Sequence, residues 1–123
     1  MNYLLVAVFG AAGAVSRYAL DGWIGNSTRG QFPWGTFAIN VIGSFALGVL
    51  VALTTERLLP HPGWRVAVGI GFLGAFTTFS TYAYETVRLA EDGTIGLALA
   101  NAIGMVVVGL AAAALGLAVG RTI

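Results

Sequence analysis

Four long stretches without a charged side chain, 1–16, 30–55, 66–84 and 93–120, alternate with short segments that carry nearly all the polarity of the chain. A bilayer core is crossed by about 20 predominantly apolar residues, so each run is long enough, or nearly so, to be a membrane span. The pattern predicts helices near 3–20, 35–55, 65–88 and 94–119, joined by short loops. The first run reaches spanning length only by continuing past Arg17 toward Asp21, which puts a guanidinium at the membrane boundary. No Lys or Arg precedes Arg17, so the basic leading segment of a signal peptide is missing and the span is read as retained. Pro33, Pro60 and Pro62 fall between the predicted helices, where a missing backbone donor does no harm. Trp23, Trp34 and Trp64 sit at predicted span ends, the headgroup depth that indoles prefer.

Composition sharpens this picture. Of 123 residues, 58% are hydrophobic and 9% charged, against about a quarter charged in soluble domains. Four spans use about 80 residues and leave enough for connections, whereas five leave almost none. Residues 1–123 are therefore expected to form a single four-helix, multi-pass transmembrane domain without a nucleotide-binding or soluble catalytic domain. The chain has no Cys, which removes disulfides, thiolate metal sites and cysteine nucleophiles together. The net charge of +1 and the scatter of the arginines give no basic run for nucleic acid. No Ser/His/Asp constellation, metal cluster or phosphate-binding glycine loop can be assembled, so no enzyme is expected. His61, in a Pro-His-Pro-Gly turn, is given no role. The 18 glycines, with Gly43, Gly48, Gly116 and Gly120 among them, read as close helix packing in lipid.

Arginine placement bears on topology. One side of the membrane receives Arg57, Arg65 and Arg121, the other Arg17, Arg29 and Arg88. A three-against-three count removes the usual orienting bias. Such a chain can insert both ways, and opposite-facing copies can close as an antiparallel two-fold dimer. If Arg17 is buried and does not count, a weak preference returns.

Polar groups inside the spans carry the candidate chemistry. Asn40 lies about 7 to 8 Å along the second helix, where its amide serves either as interhelical glue or as a donor to a permeating anion. The stretch from Gly71 to Tyr82, Gly-Phe-Leu-Gly-Ala-Phe-Thr-Thr-Phe-Ser-Thr-Tyr, straddles the middle of the third span. Gly71 and Gly74 weaken a helix, and the hydroxyls of Thr77, Thr78, Ser80 and Thr81 can satisfy freed backbone groups. Two readings stay open: a break near the midplane whose carbonyls hold a cation, or a continuous helix with hydroxyls bonded back to the preceding turn. Phe76, Phe79 and Tyr82 recur every three residues; they are core packing, or rings whose positive edges face an anion. Arg17 either snorkels or supplies positive potential at an anion entrance. The acids Asp21, Glu56, Glu85, Glu91 and Asp92 fall at or beyond the predicted span ends, Glu85 being the deepest. A proton-coupled exporter of organic cations would want a carboxylate in mid-membrane.

Three segments together resemble the Fluc/CrcB family of fluoride channels: Gly-Ala-Val-Ser-Arg17-Tyr, Gly35-Thr-Phe-Ala-Ile-Asn40-Val-Ile-Gly-Ser-Phe, and Gly74-Ala-Phe-Thr-Thr-Phe79-Ser-Thr-Tyr. The likeness covers nearly the whole chain in length and order. It implies an all-α membrane protein whose third helix is broken near the midplane, assembled as a dual-topology homodimer with two anion pores. It also implies a structural sodium ion (Na+) at the dimer centre, held by the carbonyls of Gly74 and Thr77. By the same resemblance the anion pore would use the amide of Asn40, the rings of Phe79 and Tyr82, the hydroxyls of Ser80 and Thr81, and Arg17. Tyr82 stands where the family usually has Phe, and Asn101 where members often carry Tyr. The function implied is passive export of fluoride from the cytoplasm, with about 2.3 kcal/mol available per charge per 100 mV. A small multidrug-type proton-coupled cation exporter is the alternative.

Overall fold

The structure is a computed structural model and describes residues 2–55 and 62–123. Arg57, Glu56, Pro60 and His61 lie outside the described residues. The described residues are helical apart from short connections, in the order α1 (Asn2–Ser27), α2 (Trp34–Thr55), a short turn α3 (Pro62–Trp64), a π-helical segment (Arg65–Leu73), a second short turn α4 (Gly74–Phe76), α5 (Phe79–Glu91) and α6 (Ile95–Thr122). Four stretches, Asn2–Ser27, Trp34–Thr55, Arg65–Glu91 and Ile95–Thr122, are long and apolar enough to cross a membrane.

The first helix runs to Ser27 and not to about residue 20, which corrects the predicted boundary. Its polar end is held by local bonds: the Ser27 hydroxyl donates to the Trp23 carbonyl (2.8 Å) and the Thr28 hydroxyl to the Ile24 carbonyl (2.9 Å). Side chains that satisfy terminal carbonyls let a helix continue past its apolar stretch. Asp21 and Trp23 thereby fall inside α1. At the far end of the third span, the Gly93 N–H bonds the Ala90 carbonyl and the Thr94 N–H the Leu89 carbonyl. This is a Schellman closure. It needs a left-handed residue, and Gly93 supplies it at φ 81°.

The most extensive packing is between α2 and α6, followed by α1 against the π-helical segment. In lipid there is no hydrophobic gain from joining two apolar helices, so contact depends on how closely backbones approach. Gly48 and Gly116 make that approach: a Cβ at Gly48 would strike the Ala113 carbonyl, and one at Gly116 the Phe45 carbonyl. Ile39 and Ala52 of α2 and Met105 and Asn101 of α6 are buried. The outer faces of α1 and α6 expose Tyr3, Leu4, Val15, Val107 and Leu115, as surfaces turned to hydrocarbon should.

The third span is built differently from the others. Over Arg65–Leu73 the hydrogen bonds are π-type, and the Gly74 N–H reaches back five residues to the Gly69 carbonyl. Segments of this kind are short and often lie beside functional sites. After one further turn, Thr77 (φ −83°, ψ 156°) and Thr78 (φ −151°, ψ 112°) are extended, and helix resumes at Phe79.

Candidate functional site

The extended pair Thr77–Thr78 is held from two sides. From α2, the Asn40 amide bonds both backbone groups of Thr78: its Nδ2 donates to the Thr78 carbonyl (3.0 Å), and its Oδ1 accepts the Thr78 N–H (2.8 Å). A continuous helix would have sent that N–H to the Gly74 carbonyl one turn earlier. Both residues are buried, Asn40 at 9% exposure and Thr78 at 8%. Buried peptide groups left unpaired cost about 1–3 kcal/mol each, and one amide side chain provides for two. From its own chain, Thr78 caps α5: its Oγ1 accepts the Thr81 N–H (3.2 Å) and donates to the Thr81 hydroxyl (3.0 Å). Thr and Ser are good N-caps because they satisfy the first free N–H groups of a helix. The Thr77 hydroxyl turns back to the Leu73 carbonyl (3.0 Å).

Two hollows meet at Thr78. The larger, about 470 Å³, is an apolar groove whose polar points are few; Asn40, Gly74, Thr77, Phe79, Tyr82 and Met105 line it. Gly43 also lines it, and a Cβ there would run into the Thr77 Cγ2. The smaller, about 240 Å³, is lined by Arg17, Tyr18, Asp21, Thr36, Thr78 and Thr81. Thr78 is a wall of both. Of the residues singled out from the sequence, Asn40, Phe79, Tyr82, Gly74 and Thr77 gather on the groove, and Arg17 and Thr81 on the polar chamber. Ser80 lines neither hollow; its exposed hydroxyl lies 3.3 Å from Thr78 Oγ1.

The rings of Phe79 and Tyr82, both on α5, are 5.5 Å apart between centroids and inclined at 56°. They differ in surroundings. Phe79 is 78% exposed, whereas Tyr82 is buried and its hydroxyl donates to the Ala102 carbonyl of α6 (2.8 Å).

A scan of family models matches residues 4–117 to the family described as CrcB-like protein, Camphor Resistance (CrcB). The chain belongs to the CrcB family. Among its relatives, a protein of Solibacter usitatus named "Fluoride-specific ion channel FluC" is 46% identical over 112 residues, covering 91% of this chain and 92% of the relative. One of Leifsonia xyli subsp. xyli, named "Fluoride-specific ion channel FluC 1", is 49% identical over 117 residues, with 95% and 85% covered. One of Magnetococcus marinus, again named "Fluoride-specific ion channel FluC", is 45% identical over 127 residues, with both chains fully covered. With four apolar spans and this membership, the chain is a multi-pass membrane protein, of the plasma membrane in bacteria.

Relative to the residues read from the CrcB likeness, the structure adds Thr78, Thr36 and Glu85. Thr78 stood in the motif, but nothing in its spacing distinguishes a hinge from its neighbours. Thr36 donates to Glu85 Oε1 (2.9 Å), while Glu85 Oε2 is buried without a partner among the described residues. Glu85 therefore faces inward from α5 toward Thr36, near the start of α2.

Proposed function

We propose that the chain is a fluoride channel giving passive export of the anion from the cytoplasm, working as a dual-topology antiparallel homodimer. The observation that carries this reading is the extended step at Thr77–Thr78, pinned by Asn40 and followed at once by an exposed aromatic ring. A fold that only filled space would have no use for it. The name borne by the relatives supports the choice of anion.

In this reading the extended step is the break at the bilayer midplane, and the four helices form one transmembrane domain. Irregular backbone at that depth has to face protein or a wet cavity. Exposed Gly74 and Ser80 beside the groove are covered when a second, inverted copy packs on the same surface. One hydrogen of the Asn40 Nδ2 is used on Thr78; the other is left to donate to an anion in the groove. The edges of Phe79 and Tyr82 carry partial positive charge and stabilise a small ion without a fixed cation that would trap it. Arg17 lines the polar chamber and raises the potential at its mouth, Thr81 offers a hydroxyl donor on the way inward, and Ser80 adds one on the surface that the second copy covers.

A structural sodium ion fits the residues present. The Thr78 N–H is taken by Asn40, which leaves the Gly74 carbonyl without its helical donor, and Gly74 and Thr77 both border the groove. Carbonyls of these two residues from each copy would hold the ion, which ties the two breaks together.

The reading is tested with purified protein in liposomes loaded with potassium fluoride or potassium chloride. Fluoride is expected to leave far faster than chloride once a potassium ionophore removes the charge limit. Equal or undetectable leakage of the two anions would end the proposal. The proton-coupled cation exporter draws no support from the relatives' names.

A further inference from the structure

Between α5 and α6 lies a closed set of hydrogen bonds that the permeation path does not use. The Asn101 Nδ2 donates to the Thr86 hydroxyl (2.9 Å), the Thr86 hydroxyl donates to the Tyr82 carbonyl (2.7 Å), and the Tyr82 hydroxyl donates to the carbonyl of Ala102, the neighbour of Asn101 (2.8 Å). The circuit joins one turn of α5 to two successive residues of α6. We propose that Asn101 is a positioning residue: acting through Thr86, it fixes the rotation of α5 about its own axis and so aims the Phe79–Tyr82 ring pair.

Several features support a positioning role over a filling one. Asn101 is 1% exposed, and its Oδ1 has no donor among the described residues. The Thr86 proton is committed to the Tyr82 carbonyl, so the amide cannot be turned over to relieve that oxygen. An apolar side chain would fill the position without burying an unpaired acceptor. What the amide adds is direction, because a hydrogen-bond circuit tolerates far less rotation than apolar contact does. The same circuit explains why a tyrosine serves at position 82: its hydroxyl is tied off on Ala102, leaving the ring, its centroid 5.5 Å from that of Phe79, to line the groove. The consequence for selectivity rests on the channel reading; the aim of the rings does not.

The test combines two measurements on Asn101→Leu/Thr86→Val, which removes both polar partners at once, on Thr86→Ser, which keeps the hydroxyl, and on Tyr82→Phe, which opens the circuit at its other end. The first is the fluoride-to-chloride efflux ratio in liposomes. The second is the 19F resonance of Phe79 in protein labelled with 4-fluorophenylalanine at its seven phenylalanines, assigned by its loss in Phe79→Leu. The double variant and Tyr82→Phe are expected to lower the ratio roughly fivefold and to move or broaden that resonance, while Thr86→Ser leaves both as they were. An unmoved resonance and unchanged ratio in Tyr82→Phe, or in a folded double variant, overturns the proposal. If the double variant does not fold, Tyr82→Phe decides alone. A wild-type protein that passes no fluoride, with the resonance still moved by the variants, removes the channel reading and leaves the positioning role standing.

Discussion

Asn40 holds Thr78 by both backbone groups, donating to its carbonyl at 3.0 Å and accepting from its N–H at 2.8 Å. An interhelical hydrogen bond in a membrane protein is worth about 0.6 kcal/mol on average. The stake here is larger, because two buried peptide groups of an extended residue have no helical alternative. Asn40→Ala is expected to destabilise the protein by about 2 kcal/mol or more and to abolish fluoride efflux. Asn40→Asp keeps the acceptor for the Thr78 N–H but loses the donor, and places a negative charge on the groove; it should melt above the alanine variant and still not conduct. Thermal unfolding in detergent and liposome efflux check the pair. An alanine variant as stable and as active as wild type would show that the clamp is ornamental.

Phe79 presents most of its ring beyond the chain, at 78% exposure. Removal of an exposed ring costs little packing within one chain, so Phe79→Leu should leave monomer unfolding within about 0.5 kcal/mol of wild type while lowering fluoride efflux at least about tenfold. The separation matters. A scaffold subunit would show the reverse, unchanged transport with altered assembly. Size-exclusion chromatography in detergent and efflux from the same preparation read the two effects independently.

How much of this could be read from the chain follows from which signals are local. Span number and order came from uncharged runs, because hydrocarbon penalises charge regardless of partner. The end of α1 was misplaced because Ser27 and Thr28 close the helix with their own hydroxyls, a choice that hydropathy does not record. The stretch Gly71–Tyr82 drew attention through its glycines and hydroxyls. Which residue turns out of the helix is decided by Asn40, 38 positions away, and no spacing rule within the third span can find it. Glu85 had the same difficulty: its inward turn depends on Thr36 in α2. Asn101 was noticed only as a departure from the family pattern, since its bond to Thr86 exists only once α5 and α6 have been brought side by side.

Gly43 and Thr77 form a size-matched pair beside the groove, since a Cβ at Gly43 would overlap the Thr77 Cγ2. Gly43→Ala should therefore displace the extended step and reduce efflux, with a loss of stability of about 1–3 kcal/mol typical of overpacking. The overlap names its own remedy. Thr77→Ser removes the offending methyl and keeps the hydroxyl that bonds the Leu73 carbonyl. The double variant Gly43→Ala/Thr77→Ser is expected to recover most of the lost stability and transport, a coupling of the sign expected for residues in contact. Strictly additive losses in the two measurements would contradict the pairing.

Glycines elsewhere divide by what lies beyond them, and the contrast is measurable. At Gly116 the added methyl of Ala meets the Phe45 carbonyl and lies 3.1 Å from the Val49 backbone nitrogen. These are backbone atoms of a packed helix and cannot swing aside, so α2 and α6 have to separate. Because dispersion contacts and close approach are what join helices in lipid, Gly116→Ala should destabilise the fold by about 1–3 kcal/mol. Gly22, inside α1, has no neighbour from another element among the described residues within 4 Å of the same atom; there Ala relieves the conformational freedom of glycine and should stabilise by about 0.5–1 kcal/mol. Unfolding of both variants in one detergent supplies the comparison. Equal shifts would mean that the α2–α6 contact is looser than its geometry indicates, whereas opposite signs would tie the glycine at 116 to backbone contact with α2.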